Sequence, residues 1–376
     1  NELKRKSEFF SKDRRNVKFL VTGRDLSIQS CESIVKESKK YLNLIPYYIP
    51  EHGLEYRWKN CHDPKGLLKI DQRQIWWDKF STLKGLSFTS MPEEIDTSEL
   101  SPISSQPLLG YLLALSYLRG QIDFNNNPNL NTIYQDLLDS VFERQYASED
   151  GDISKTHSSV SMLSSEDFDL LMQEIALAVW HANGTTATEK FIYEHLKTNE
   201  LEHLLEQFKS ETENGVSSLL LSFYFRKQGQ TVKGESTFEF THKSFGEYLT
   251  AKKLVNLTID LSDAYADKKK NHRKGKKLDD IIYEWIRATG KSTFEIYLFQ
   301  FVKNELCNLE LDIQKIQQIY DFLAVMLNDS IQNNLAFERF SGLTFNQMIS
   351  YSQNANLALV ALHSACSRIL YNDELC

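Results

Sequence analysis

The sequence predicts a mainly α-helical protein with a small α/β portion at its N-terminus. Its 376 residues include only seven prolines and fifteen glycines, so few positions interrupt helices. Apolar residues make up 41% of the chain and charged residues 25%, which is typical of a globular protein. Helical periodicity dominates the later chain, whereas the first part holds a buried-strand pattern. The length favours two or three domains.

The α/β portion is predicted for residues 1–70. Val17–Thr22 is a largely apolar run that ends at Gly23-Arg24-Asp25, as a buried parallel strand followed by a loop would. Because α/β sheets bind ligands at the carboxyl ends of their strands, Arg24 is a candidate binding residue. The alternative is an ordinary surface arginine after an edge strand. Ile45–Ile49 is predicted as the next strand.

A helical domain is predicted for residues 71–150. Asp71 is expected to cap an amphipathic helix that continues to Phe80. Residues 89–106 are rich in Ser, Pro and acidic side chains and are predicted to form a loop. Pro107 fits the first turn of the apolar helix that follows, and a simple helix-starting role is the alternative to a functional one. A further amphipathic helix is predicted at Leu130–Ala147.

A winged-helix domain is predicted for residues 151–257. Helices are followed by two strands that flank a glycine-containing turn at Gln228–Gly234, and helices followed by such a wing define this domain type. Phe168–Trp180 is predicted as a helix and Phe191–Phe208 as a helix or a pair of helices. The predicted strands are Ser218–Arg226 and Ser236–Thr241.

His242 lies where a strand pattern changes to a helix pattern. Phe238 and Phe240 alternate as in a short strand, and Phe245 then opens a series at helical spacing. By spacing alone, His242 could simply cap the helix start. Lys243 and Glu247 stand at the spacing of a helical ion pair, which is a structural role.

Four more helices are predicted in a C-terminal helical domain at residues 278–376, at Leu278–Ala288, Phe294–Leu306, Ile313–Leu327 and Asn356–Leu370. The basic run Asp267–Lys277 precedes them. Since this run has no aromatic residue for base stacking, it is predicted to be a solvated loop.

The segment Phe238–Ala251 resembles the winged-helix signature of the NACHT-type signalling NTPases of the STAND class. The resemblance implies that His242 reaches the phosphates of ADP and holds the closed, inactive state. Thr22-Gly23-Arg24 is similar to the family's sensor motif, which implies that Arg24 faces the γ-phosphate. The proline motif at Gln106-Pro107 is similar to the one that meets the base and ribose, so Pro107 is a candidate nucleotide contact.

This resemblance covers nearly the whole chain but omits the catalytic half of the family. Residues 1–70 would be the C-terminal remnant of a P-loop NTPase domain, with the phosphate loop and the magnesium-binding strand upstream of Asn1. Residues from about Phe337 would begin a repeat-built sensor. ATP or ADP with Mg is expected in the full-length protein, and none is expected to bind tightly to this chain alone.

The Gly-Lys-Ser within Ala288–Thr293 imitates a phosphate loop, but we reject it. The full motif needs a glycine five positions before Gly290, and that position holds Trp285. The preceding pattern is helical, so Gly290 is predicted to end a helix. No other phosphate loop or magnesium-binding strand is recognised, so this chain alone is not expected to hydrolyse ATP and no catalytic residue is assigned.

Other site types have weaker support in the sequence. Cys61-His62-Asp63 lacks a second ligand pair, so no metal site is predicted. His181, His195 and His203 are placed on helices without a nucleophile nearby, which argues against hydrolase chemistry.

Charge and cysteine content limit the partners and the location. The formal net charge of −8 disfavours nucleic acid or an anionic membrane as the main partner. Five scattered cysteines fit free thiols in a reducing compartment, and no apolar run is long enough to span a bilayer, which predicts a cytoplasmic protein.

The function implied by the resemblance is an ATP/ADP switch in innate-immune or antiphage defence. ADP would lock the domains together and ATP would allow oligomerisation. The expected partners are the upstream NTPase and effector domains, further copies of the same chain and an unknown trigger protein. Two alternatives remain open: a winged-helix DNA-binding regulator and a helical interaction scaffold without nucleotide.

Overall fold

The computed structural model describes residues 45–50, 62–98, 100–126, 128–142, 164–182, 184, 186–204, 225–230, 236–240, 243–333 and 342–371. The chain divides between Ile70 and Asp71 into two compact units. The predicted strand Val17–Thr22 lies outside the described residues. Ile45–Ile49 was predicted as a strand, and this is wrong, because these residues carry no strand. Pro46 and Pro50 lack the N–H that a strand ladder needs.

The described part of the first unit contains one short helical turn. The 3₁₀ turn Leu67–Lys69 follows Asp63, whose carboxylate accepts hydrogen bonds from the backbone N–H groups of Leu67 and Leu68 at 2.9 and 2.8 Å. Asp63 thus satisfies donors at the start of this turn.

The second unit is mainly α-helical. Its described helices are α1 Gln72–Lys84, α2 Ser101–Ser104, α3 Pro107–Arg119, α4 Leu130–Phe142, α5 Ser165–Ala182, α6 Glu189–Thr198, α7 Lys243–Lys270, α8 Leu278–Thr289, α9 Ile296–Asn308, α10 Ile313–Asn333 and α11 Phe345–Tyr371. Its described strands are β1 Thr186–Thr188, β2 Phe225–Gln230 and β3 Ser236–Phe240. The predicted mainly α class is therefore confirmed.

Local sequence signals fix several helix ends. The Asp71 carboxylate accepts a hydrogen bond from the Arg73 N–H at 3.0 Å, as predicted for a cap, and α1 runs one turn further than expected. Pro107 occupies the first turn of α3, where its missing N–H removes no helical bond. The Thr188 hydroxyl accepts from Phe191 N–H at the start of α6. Gly290 follows the last residue of α8, also as predicted.

The three strands form one antiparallel sheet in the order β1-β3-β2. Thr186 pairs with Glu239 on one side of β3, and Phe225 pairs with Phe240 on the other. The predicted turn at Gln228–Gly234 begins too early, since β2 continues to Gln230, which pairs with Ser236 after a register shift. Strand β1 was not predicted, because three residues are too short for a recognisable alternation.

One hydrophobic core runs through the second unit, from Trp77 in α1 to Cys366 in α11. Helix α7 lies at its centre and packs against α4, α5, α8, α9, α10 and β3. Trp285 in α8 is fully buried, and its indole N–H donates to the backbone oxygen of Ala355 in α11. The domain boundaries predicted at residues 150 and 257 fall inside this compact unit and stay predictions.

Two further expectations need correction. Lys268–Lys270 of the basic run form the last turn of α7, and the loop after them folds back, because Lys276 N–H donates to the Ala264 oxygen at 3.1 Å. Gly275 has a φ of 70°, which this turn requires, and a Cβ there would lie 2.1 Å from that same oxygen.

Cys366 is a buried free thiol, but Cys307 is disulfide-bonded, so the expectation of free thiols throughout is wrong.

Candidate functional site

The structure describes one of the three predicted nucleotide contacts. Pro107 is exposed at the first turn of α3. Arg24 and His242 lie outside the described residues, so the convergence of the three side chains on one cleft stays a prediction. The geometry on both sides of His242 is nevertheless defined, because β3 ends at Phe240 and α7 begins at Lys243.

A tight contact fixes the angle between β3 and α7. The Phe240 side chain is buried and packs edge-on against Phe245, with 6.0 Å between ring centroids. Gly246 lies under the Phe240 ring, where an added Cβ would come within 2.6 Å of it. Only glycine allows this approach. The aromatic and glycine positions of the signature therefore hold the strand end against the first turn of the helix.

Tyr134 in α4 connects the start of α7 to the preceding helical segment. Its hydroxyl forms a hydrogen bond with the Ser244 hydroxyl. Its ring lies 5.6 Å from that of Phe245 and 5.7 Å from that of Tyr248. Because Ser244 is two residues from His242, movement of α4 would be transmitted directly to the strand-to-helix junction.

Lys243 anchors the same junction to α9. Its ammonium lies 3.0 Å from the Glu247 carboxylate, which confirms the predicted ion pair, and 2.8 Å from the Glu295 carboxylate. Partial burial acts to lower the pKa of Lys243, but hydrogen bonds to Glu295 and Glu247 outweigh it and raise the pKa. Lys243 is therefore charged at neutral pH and committed to protein carboxylates.

Polar contacts continue this connection along α7. The Lys252 ammonium donates to the Gln135 side-chain oxygen at 2.7 Å and to the Asp169 carboxylate at 2.9 Å. The Tyr248 hydroxyl donates to the same Gln135 oxygen. One face of α7 is thus joined to α4 and α5 by a hydrogen-bonded network.

A second polar cluster, centred on Glu174 in α5, was missed by the sequence analysis. Its buried carboxylate lies 2.6 Å from the Lys253 ammonium. It also accepts hydrogen bonds from the side chains of His195 and Asn199, each at 3.0 Å. Burial alone would raise the pKa of Glu174, but the hydrogen bond from His195 and the charge of Lys253 lower it to about 2. Glu174 is therefore an ionised, fully partnered anion between three helices.

His181, one residue from the end of α5, is held neutral beside this cluster. Its Nε2 lies 2.8 Å from the Ala288 carbonyl oxygen, so Nε2 carries the proton and donates it. Burial lowers the pKa of His181 to about 3, despite this hydrogen bond. The other ring nitrogen, Nδ1, is buried and has no hydrogen-bond partner within the described part of the chain.

These groups line a cleft of about 430 Å³ between α5, α6, α7 and α8. Its polar lining includes Glu174, His181 and His195, and Arg287 and Lys291 contribute positive charge. Its apolar lining includes Leu177 and Leu257. Among the described residues that line this cleft, none is a serine or a cysteine.

The Gly-Lys-Ser sequence after α8 does not form a phosphate loop. A helix precedes it, and Ser292 donates its hydroxyl hydrogen bond to the Trp180 carbonyl oxygen at 2.6 Å. A phosphate loop requires a strand before it and backbone N–H groups that wrap the anion. The rejection of this motif is therefore confirmed.

The described residues show neither a metal-binding cluster nor a membrane-spanning helix. They contain no group of three or more His, Cys, Asp and Glu side chains arranged to hold a metal ion. Among them, no helix has both the length and the apolar character needed to cross a bilayer.

Comparison with known proteins identifies no relative. No protein-family model, curated protein or solved structure matches the chain. Function therefore has to be argued from residues and geometry.

Proposed function

We propose that the chain is the regulatory portion of a nucleotide-switched, NACHT-like STAND ATPase. ADP holds the inactive state through His242 and Pro107, and Arg24 senses the γ-phosphate of ATP. When ATP replaces ADP, the contacts that ADP made with His242 and Pro107 are lost and the protein can form oligomers. The cellular setting we propose is cytoplasmic innate-immune or antiphage defence, and hydrolysis belongs to the upstream NTPase half.

The observation that carries this proposal is the arrangement of elements around His242. Helix α5, strand β1, helix α6 and strands β2 and β3 follow one another, and the sheet order is β1-β3-β2. This is the arrangement expected of a winged helix, with β2 and β3 as the wing. His242 stands between the last wing strand and α7, which is the place that the resemblance assigns to the ADP-binding histidine.

The contacts of α7 provide a physical route for the switch. Tyr134 joins α4 to Ser244, and Lys243 joins the same turn to Glu295, the N-cap residue of α9. A ligand shifts a conformational equilibrium only if it binds one state more tightly than the other. ADP bound by both Pro107 and His242 would favour the state in which α3 and the start of α7 are close together.

The three lysines in the first half of α7 argue against the DNA-binding alternative. Lys243, Lys252 and Lys253 are each within 3.0 Å of a carboxylate, from Glu247 and Glu295, Asp169 and Glu174 respectively. Paired lysines release no counterions from DNA phosphates unless these ion pairs break. The helical scaffold without nucleotide remains the competing function.

The test is the nucleotide content of the purified protein that includes the NTPase half. We expect ADP, released by denaturation and quantified by anion-exchange chromatography, at close to one per chain. His242→Ala should lose most of it, and Pro107→Ala should lose part. His272→Ala is the matched control, because His272 is exposed in the loop after α7. If wild type holds no nucleotide, or if the His242 and His272 variants retain equal amounts, the scaffold function replaces this proposal.

A further inference from the structure

The cleft lined by His181 was not predicted from the sequence and has its own chemistry. Four helices form it, and its volume of about 430 Å³ suits a small ligand. Its most buried anion, Glu174, already receives three donors and needs no further partner. The groups without partners are therefore the ones that define what could bind.

The first such group is the Nδ1 lone pair of His181. Because Nε2 donates to the Ala288 oxygen, Nδ1 can only accept a hydrogen bond. Nδ1 is buried, and the described residues offer it no donor. A buried acceptor left without a donor is energetically unfavourable, so a ligand that brings an O–H or N–H group would be favoured here.

The second group is a pair of cations at the end of α8. Arg287 and Lys291 line the same cleft and flank the carbonyl that holds His181. Neither has a hydrogen bond or ion pair with another side chain in the part of the chain that the structure describes. The Lys291 side chain is exposed, yet partial desolvation and the neighbouring charge of Arg287 both lower its pKa, so an anion between the two cations would relieve their repulsion.

We propose that this cleft binds a small oxyanion that carries a proton donor, of the hydrogen phosphate type. The anionic oxygens pair with Arg287 and Lys291, and the ligand's O–H donates to His181 Nδ1. Arginine and lysine are both common phosphate-binding residues. Glu194 also lines the cleft, and its negative charge weakens the binding of phosphate and sulfate alike, so it does not set the preference between them.

The relative affinities for phosphate and sulfate distinguish this proposal from simple charge attraction. At neutral pH, hydrogen phosphate keeps an O–H group, whereas sulfate of nearly the same size has none. We expect the 376-residue chain to bind phosphate about tenfold more tightly than sulfate by isothermal titration calorimetry at constant ionic strength. Equal affinity for the two anions would overturn the role of His181. A separate titration with a sugar phosphate shows whether the cleft prefers an organic phosphate to inorganic phosphate.

Variants locate the site. Arg287→Gln and Lys291→Gln change exposed side chains, and each is expected to weaken phosphate binding about tenfold. Lys197→Gln is the matched control, since Lys197 is an exposed lysine on α6 that does not line the cleft. Unchanged binding in both cleft variants, or no saturable phosphate binding by wild type, would refute the proposal.

His181→Phe tests the acceptor directly. This variant keeps an aromatic ring but removes the lone pair, so the preference for phosphate over sulfate should disappear while some binding of both anions remains. If the variant does not fold, the ratio of phosphate to sulfate affinity in the wild type still decides the point.

Discussion

Gly246 shows how a single residue fixes the geometry of the proposed switch. A Cβ at this position would lie 2.6 Å from the Phe240 ring, closer than packed atoms approach. We expect Gly246→Ala to lower the free energy of unfolding by roughly 1–3 kcal/mol, because the buried ring must move. Denaturant unfolding followed by circular dichroism measures this change.

A double variant tests whether the clash is the cause. Phe240→Leu removes the ring edge that meets Gly246, so its combination with Gly246→Ala should be less destabilising than the sum of the two single changes. Strictly additive effects would show that the loss of stability at Gly246 has another origin.

At the scale of elements, His181 makes the packing of α5 on α8 sensitive to acid. The folded protein holds His181 neutral with a pKa of about 3, compared with 6.5 in the unfolded chain. Its stabilising effect is therefore complete above pH 6.5 and is lost as the pH falls towards 3. We expect the contribution of His181 to lower the free energy of unfolding by about 1.4 kcal/mol for each pH unit below 6.5. Urea unfolding at several pH values measures it.

Between pH 6.5 and 4.5 the histidines are opposed by carboxylates, because burial raises the pKa of Asp139, Asp260 and Glu305, and these groups stabilise the folded protein as the pH falls. Glu174 has a lowered pKa of about 2 compared with 4.5, so its own stabilisation is lost only below this window. His363, whose pKa burial lowers, acts in the same direction as His181. His181→Gln should flatten the pH dependence more than His363→Gln does, and an equal effect of both variants would contradict the assignment to His181.

Sequence patterns predict elements well where the signal is local. Asp71, Pro107 and Gly290 each mark a helix end through their own chemistry, and the structure places helix ends at all three. The Glu174 cluster had no such signal, since His195 is 21 residues away in the chain and Lys253 comes from a third helix. Strand β1 was missed for a similar reason, because it is defined by pairing with distant β3. Local chemistry is visible in a sequence, but long-range pairing is not.

For the molecule as a whole, α7 is the element that connects the others. It packs against α4 and α5 on the N-terminal side of the chain and against α8, α9 and α10 on the C-terminal side. Its 28 residues continue without interruption from Lys243, next to His242, to Lys270. A change at the junction would therefore act on each of these helices through α7.

This position predicts how a surface ion pair influences the proposed switch. Glu295 holds Lys243 at 2.8 Å, and its side chain is 57% exposed. Exposed pairs contribute about 0.2–1 kcal/mol, so Glu295→Gln should shift the equilibrium between the ADP-bound and oligomeric states of the full-length protein by at most about fivefold. We expect a larger oligomeric fraction at a given ATP concentration, measured by size-exclusion chromatography with light scattering.

Asp263→Asn provides the control, because Asp263 is a half-exposed carboxylate that pairs with Lys315 nearer the other end of α7. It removes an ion pair of the same kind from the same helix, but far along the chain from His242. If only Glu295→Gln shifts the oligomeric fraction, the start of α7 controls the switch. If both variants shift it equally, the effect reflects general loosening of α7, and the specific link between Lys243, Glu295 and ADP has to be abandoned.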